Sequence, residues 1–70
     1  MFLTKTDTGA QALALMEWRE AAALVSSRWQ TFLEAEPESR RWAFASYVAA
    51  LDAEEAAAAD VAVSSVRTAA

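Results

Sequence analysis

Seventy residues with no cysteine and no histidine allow one domain at most, and exclude a disulfide framework, a thiolate metal site and the commonest general base. A formal charge of −4, with only Lys5, Arg19, Arg28, Arg40, Arg41 and Arg67 as cations, leaves no basic stripe to neutralise nucleic-acid phosphates. The 19 alanines, single glycine, single proline and absence of isoleucine favour helix throughout and give a strand reading almost no support.

Residues 1 to 7 are short and mixed, and read as a flexible N-terminus. The N-terminal stretch Met1 to Lys5 lacks the apolar run of a signal peptide. No stretch approaches the ~20 apolar residues of a membrane span, so the expectation is a soluble, cytoplasmic chain. Thr8-Gly-Ala-Gln11 matches the capping box, in which the Thr hydroxyl accepts from a backbone N–H and the Gln side chain reaches back. This predicts helix 1 over about 8–35. At roughly 100° per residue, Ala14, Leu15, Trp18, Ala21, Ala22, Val25, Trp29, Phe32 and Leu33 fall in one arc of about 120°. Glu20, Ser27, Gln30 and Glu34 lie opposite. Leu13, Met16 and Leu24 stand outside the arc, either as isolated surface residues or as a second contact surface.

Pro37 removes a backbone hydrogen bond and pushes Glu36 out of the helical region, so helix 1 should end near Ala35. Proline suits the first position of a new helix, and Glu36 and Glu38 suit its positive end. Helix 2 is predicted over about 37–66, with Arg67 complementing its C-terminal dipole and residues 68–70 as a tail. No Gly or Asn closes helix 1 in a left-handed cap, which leaves a kinked single helix as the competing arrangement.

Apolar stripes run away from Pro37 in both directions, so the predicted fold is an all-α antiparallel helical hairpin. With the turn between residues 36 and 37, level residues have numbers that sum to 73. Trp29 then faces Phe44, Val25 faces Val48, Ala22 faces Leu51 and Leu15 faces Ala58. Helix 2 carries a second apolar strip, Ala43, Tyr47, Ala50, Ala57 and Val61, about 80° around from the first. One helix cannot cover both strips, so two hairpins are expected to dimerise into a four-helix bundle about a two-fold axis. The expected hairpin and dimer core is Leu15, Trp18, Ala22, Val25, Trp29, Phe32, Phe44, Tyr47, Val48, Leu51 and Val61. The run Ala56 to Ala59 serves helix propensity and offers a smooth surface for a second helix.

Glu54 and Glu55 interrupt the apolar side of helix 2 and have no Lys or Arg at i±4. The same sum places Glu54 level with Arg19 and Glu55 level with Trp18. The expectation is that Arg19 pairs with Glu54 across the hairpin, or that the Trp18 indole N–H donates to the Glu55 carboxylate. Paired carboxylates doubled by symmetry could form a metal site, but the Glu-x-x-His element of di-iron bundles is missing; no cofactor is expected. Arg40-Arg41-Trp42 beside the turn is the other candidate contact. Either Trp42 and the arginines form a hot spot for a protein partner, or Trp42 folds over the hairpin end while Glu36 holds Arg40 and Glu38 holds Arg41.

Catalysis has little basis: Ser26, Ser27, Ser46, Ser64 and Ser65 lack a histidine to activate them, and no glycine-rich phosphate loop is present. The stretch Arg28-Trp-Gln-Thr-Phe-Leu-Glu-Ala-Glu36, followed by Trp42-Ala-Phe-Ala-Ser-Tyr-Val-Ala-Ala-Leu-Asp-Ala-Glu-Glu55, resembles short, alanine-rich, uncharacterised proteins of high-GC actinobacteria. The resemblance covers about half the chain, implies a bacterial cytoplasmic setting and carries no functional residue. Three readings follow. The first is a non-enzymatic, self-associating helical adaptor or regulatory subunit that binds another protein. The second is an acidic antagonist, antitoxin-like or nucleic-acid-mimicking, of a basic partner, although Arg19, Arg28, Arg40 and Arg41 interrupt its acidic face. The third, a membrane-surface helix, would need cations where Glu17, Glu20 and Glu34 stand. The first is preferred.

Overall fold

The computed structural model describes residues 2–69, and the side chains of residues 9–66. Two helices, α1 (Phe2–Glu34) and α2 (Arg40–Ala69), pack along their length, joined by a 3₁₀ turn over Pro37–Ser39. The hairpin measures 56 × 13 × 11 Å, with a radius of gyration of 16.1 Å against about 11 Å for a compact chain of this length.

The turn needs no left-handed residue, and none of the described residues has a positive φ. Helix α1 tightens at its end, where the Ala35 N–H donates to the Phe32 carbonyl at 3.2 Å. Glu36 then swings to an extended conformation, φ −66° and ψ 155°, as the ring of the following proline requires. The Ser39 N–H donates to the Glu36 carbonyl at 2.9 Å, and the Arg40 N–H to that of Pro37. One extended residue and one proline-initiated 3₁₀ turn thus do the work of the missing glycine cap, and the helices lie back to back rather than as one kinked rod.

Two boundaries differ from the sequence expectation. Helix α1 starts at Phe2, not at Thr8, and passes through the supposed capping box. No proline interrupts residues 2–8, and a single glycine costs a helix only about 1 kcal/mol. Gln11 does not turn back to a cap: its Nε2 donates to Ser65 Oγ at 3.3 Å across the hairpin. The Thr8 hydroxyl and the Arg67 side chain lie outside the described residues. At the other end α2 continues through Ala69, and regular α geometry begins at Arg40 because Pro37–Ser39 are taken up by the turn. Gly9 is helical, and a Cβ built there meets nothing within 4 Å. Gly9→Ala should therefore raise the thermal midpoint, by an amount worth about 0.5–1 kcal/mol. A midpoint that stays put or falls on a circular-dichroism melt would show that residue 9 is not helical in solution.

The turn also sets the register. Trp29 packs on Tyr47 with ring centroids 5.0 Å apart, Phe32 on Phe44 at 5.5 Å, and Gln11 bonds to Ser65. All three pairs have numbers that sum to 76, so the register lies three residues from the expected 73. The apex sits at residue 38, inside the 3₁₀ turn, rather than between Glu36 and Pro37.

With the register goes the choice of stripe. The seam is formed by Gln11, Ala14, Trp18, Ala21, Val25, Arg28 and Phe32 of α1 with Ala35 just past its end, and by Ala43, Tyr47, Ala50, Glu54, Ala57, Val61 and Ser64 of α2, while Leu15, Ala22 and Ser46, also half-buried, flank it. Each run alternates steps of three and four, the seam of an antiparallel coiled coil. Helix α1 is thus covered by the Ala43–Tyr47–Ala50–Ala57–Val61 strip and not by Phe44, Val48 and Leu51. Alanines explain the reversal: the register sets Phe32 beside Ala43, Val25 beside Ala50 and Trp18 beside Ala57. Large side chains on one helix meet methyl groups on the other, and the two axes can approach closely. Among the described residues, Ala14, Ala43 and Ala50 alone are buried, and Ala43 is 1% exposed.

Candidate functional site

What the hairpin leaves uncovered is the Phe44, Val48 and Leu51 stripe of α2 and the flank of α1 beside it. Trp29 and Leu33 from α1, with Phe44, Val48 and Leu51 from α2, all remain exposed. In an antiparallel coiled coil the residue just past the seam on one helix adjoins its counterpart on the other. Trp29 and Phe44 are such a pair, each ringed to the seam through Tyr47 and Phe32. The five therefore share one side of the hairpin, in the half nearer the turn. The strip continues toward the other end through half-buried Leu15 and Ala22 and exposed Ala58. The residues expected to fill a common core thus divide: Trp18, Val25, Phe32, Tyr47 and Val61 lie in the seam; Leu15, Ala22, Trp29, Phe44, Val48 and Leu51 border or form the open face.

The opposite side is built differently. A groove of about 240 Å³ runs there between Leu24, Arg28, Ser46, Ala49, Ala50 and Ala53. Leu13, Met16 and Leu24 stay exposed, away from the open strip. On the outer surface of α1, Gln30 Nε2 donates to Glu34 Oε2 at 2.6 Å, and the Thr31 hydroxyl to the Ser27 carbonyl at 3.1 Å.

The polar pairs expected across the hairpin are not made. Arg19 joins neither Glu54 nor Glu55 by an ion pair, and the Trp18 indole donates to neither carboxylate. The register accounts for this, since a sum of 76 puts Glu54 level with Ala22 and Glu55 level with Ala21. Glu54 occupies a seam position and is half-buried; Glu55 is exposed. Beside the turn, Trp42 is 64% exposed. Arg40 is not held by Glu36, nor Arg41 by Glu38, so Trp42 projects outward instead of folding over the hairpin end. Among the described residues no group of three or more carboxylates comes close enough to hold a metal ion, and no helix is long and apolar enough to cross a membrane.

Glu54 supplies a direct test of the seam. The residue is half-buried opposite Ala21 and Ala22, and its carboxylate has no partner among the described residues, a position that favours an apolar side chain. Glu54→Leu should raise stability by about 1 kcal/mol, read as a higher urea midpoint. A lower midpoint would mean that residue 54 does not face α1.

Sequence reasoning puts Leu33 on the core-facing arc of helix 1 together with Ala14, and Ala43 and Ala50 in the second strip of helix 2; the structure buries the three alanines and leaves Leu33 exposed. Ala43, Tyr47, Ala50 and Ala57 follow the same steps of four, three and seven as Phe44, Val48, Leu51 and Ala58, so periodicity alone carries no signal for choosing between the two strips. No protein family, curated protein or solved structure matches the chain.

Proposed function

We propose that this chain is a small, non-enzymatic self-associating protein whose open face docks on another helical surface, in the first place a second copy, giving a four-helix bundle that serves as an adaptor or regulatory subunit. The carrying observation is that a 70-residue chain with three tryptophans and three phenylalanines leaves every one of its described large side chains at least partly exposed. Its accessible surface is 5362 Å²; a compact monomer of this mass exposes about 4,300 Å². The excess of about 1,000 Å² is the area that one partner of a specific interface commonly buries. Five large apolar residues gathered on one side exceed the scattered exposure of ordinary surfaces. The resemblance to actinobacterial proteins sets this reading in a bacterial cytoplasm.

Molar mass by light scattering, across a dilution series and with helicity followed on the same samples, tests the proposal. A helical dimer that dissociates only on strong dilution supports it. A helical monomer at every concentration refutes self-association. The acidic-antagonist alternative gains no support from the arrangement of charges, because Arg28 lines the groove on the side where Glu17 and Glu20 stand.

A further inference from the structure

The open face carries two charges, and their placement selects one way of docking. Arg19 follows Leu15 by four residues and precedes Ala22 by three, so it stands at the outer edge of the strip on α1. Glu55 follows Leu51 by four and precedes Ala58 by three, which puts it at the outer edge of the strip on α2. In the observed register Arg19 is level with Ala57 and Glu55 with Ala21, an offset of two residues or about 3 Å along the axis. One positive and one negative group thus flank the apolar strip at nearly one height, on opposite helices. Both are exposed, and neither has a partner among the described residues.

Two face-to-face arrangements have two-fold symmetry and full overlap. With the axis along the hairpin, both turns lie at one end and α1 of each copy covers α2 of the other. With the axis across the hairpin, the turns lie at opposite ends, α1 covers α1 and α2 covers α2. The second arrangement places its axis at the middle of the hairpin, near the height of residue 20. Arg19 would then fall on the partner's Arg19, and Glu55 on the partner's Glu55, which is repulsive twice over. The first brings Arg19 to the partner's Glu55 at both edges.

Apolar matching agrees. The large open residues are confined to the half nearer the turn, and an axis across the hairpin would lay them on the alanine-rich half. An axis along it lays them on one another: Trp29 comes to the height of the partner's Val48, Leu33 to that of the partner's Phe44, and Leu15 between the partner's Ala58 and Ala62. Resting on the self-association reading above, we infer that the occupant of the open face is a second copy of this chain with its turn at the same end, aligned by reciprocal Arg19 and Glu55 contacts.

The chain has no cysteine, so Ser39→Cys at the turn accepts a single nitroxide, and the distance between two labels can be read by pulsed electron resonance. Turns together place the labels about 20–30 Å apart, from helix layers spaced about 10 Å plus the label arms. Turns at opposite ends of a 56 Å hairpin put them beyond about 45 Å, which would overturn the inferred arrangement while leaving self-association intact. Absence of any dipolar coupling, together with a monomer mass, would overturn both. On the unlabelled protein, Arg19→Glu should raise the dimer dissociation constant about tenfold, because it sets like charges together at both edges. Adding Glu55→Arg should restore it to within about twofold. An Arg19→Glu chain that dimerises as tightly as the parent contradicts the pairing.

Discussion

Replacing Ala43 with leucine is expected to cost the hairpin much of its stability. Ala43 is the most deeply covered residue described, set beside Phe32 at the level where the aromatic cluster begins. Three added carbons have no space unless the helices separate or Phe32 leaves its rotamer, a strain of about 1–3 kcal/mol. In a chain this small that is a large share of the total. Loss of the close approach would also loosen the Phe32–Phe44 and Trp29–Tyr47 contacts, so the thermal midpoint should drop by many degrees. Tryptophan emission should shift with it. Ala45→Leu, on the exposed outer side of α2, is the matched control and should leave the midpoint nearly unchanged. If both substitutions behave alike, the alanine seam is not where the structure places it.

The second large effect is expected at Val48→Glu, and it should act on assembly rather than folding. Val48 is 38% exposed in the hairpin and belongs to the open strip between the levels of Phe44 and Leu51, outside the ring contacts that tie Trp29, Phe32, Phe44 and Tyr47 together. A carboxylate there remains hydrated in the monomer but would be stranded without a partner inside a bundle. Such burial commonly costs 3 kcal/mol or more, so the dissociation constant should rise at least ~100-fold. Light scattering should report a monomer at concentrations where the parent is a dimer, with helicity largely kept. Ala59→Glu, also exposed but away from the strip, should leave the mass unchanged. Dimers of undiminished affinity in Val48→Glu would place the interface elsewhere, with the Leu24–Arg28 groove the next surface to examine.

The architecture was legible in the sequence, but the register was not. Pro37 marks the reversal and alanine content marks the helices, so a hairpin follows from composition and punctuation. Register depends on how many residues the turn consumes, and periodicity is blind to that number. A three-residue slip leaves i and i+3 on almost the same helical face, so sums of 73 and 76 produce equally tidy apolar matches. The Arg19–Glu54 pairing fails on two counts: the register sets Glu54 level with Ala22, and Glu54 lies in the seam whereas Arg19 stands exposed at the outer edge of α1. The exchange of stripes on α2 has a related cause. Hydrophobicity ranks Phe44, Val48 and Leu51 above three alanines as core, whereas close packing of two helices prefers the alanines.

The distribution of cross-hairpin contacts has a kinetic consequence. The ring contacts lie next to the turn: Phe32 and Phe44 are separated by a loop of only about a dozen residues, whereas Gln11 and Ser65 close one of 54. Loop closure becomes more costly with length, so the aromatic end forms first and the seam zips from there toward the termini. Opening runs the same course in reverse. Amide protons should exchange fastest at the N-terminal end of α1 and the C-terminal end of α2 and slowest beside Phe32 and Ala43, and a truncation that keeps residues on both sides of the turn should preserve more structure than one that removes it. The half of the molecule that folds earliest is also the half that carries its exposed tryptophan and phenylalanine, so the docking surface is presented before the distal half has closed.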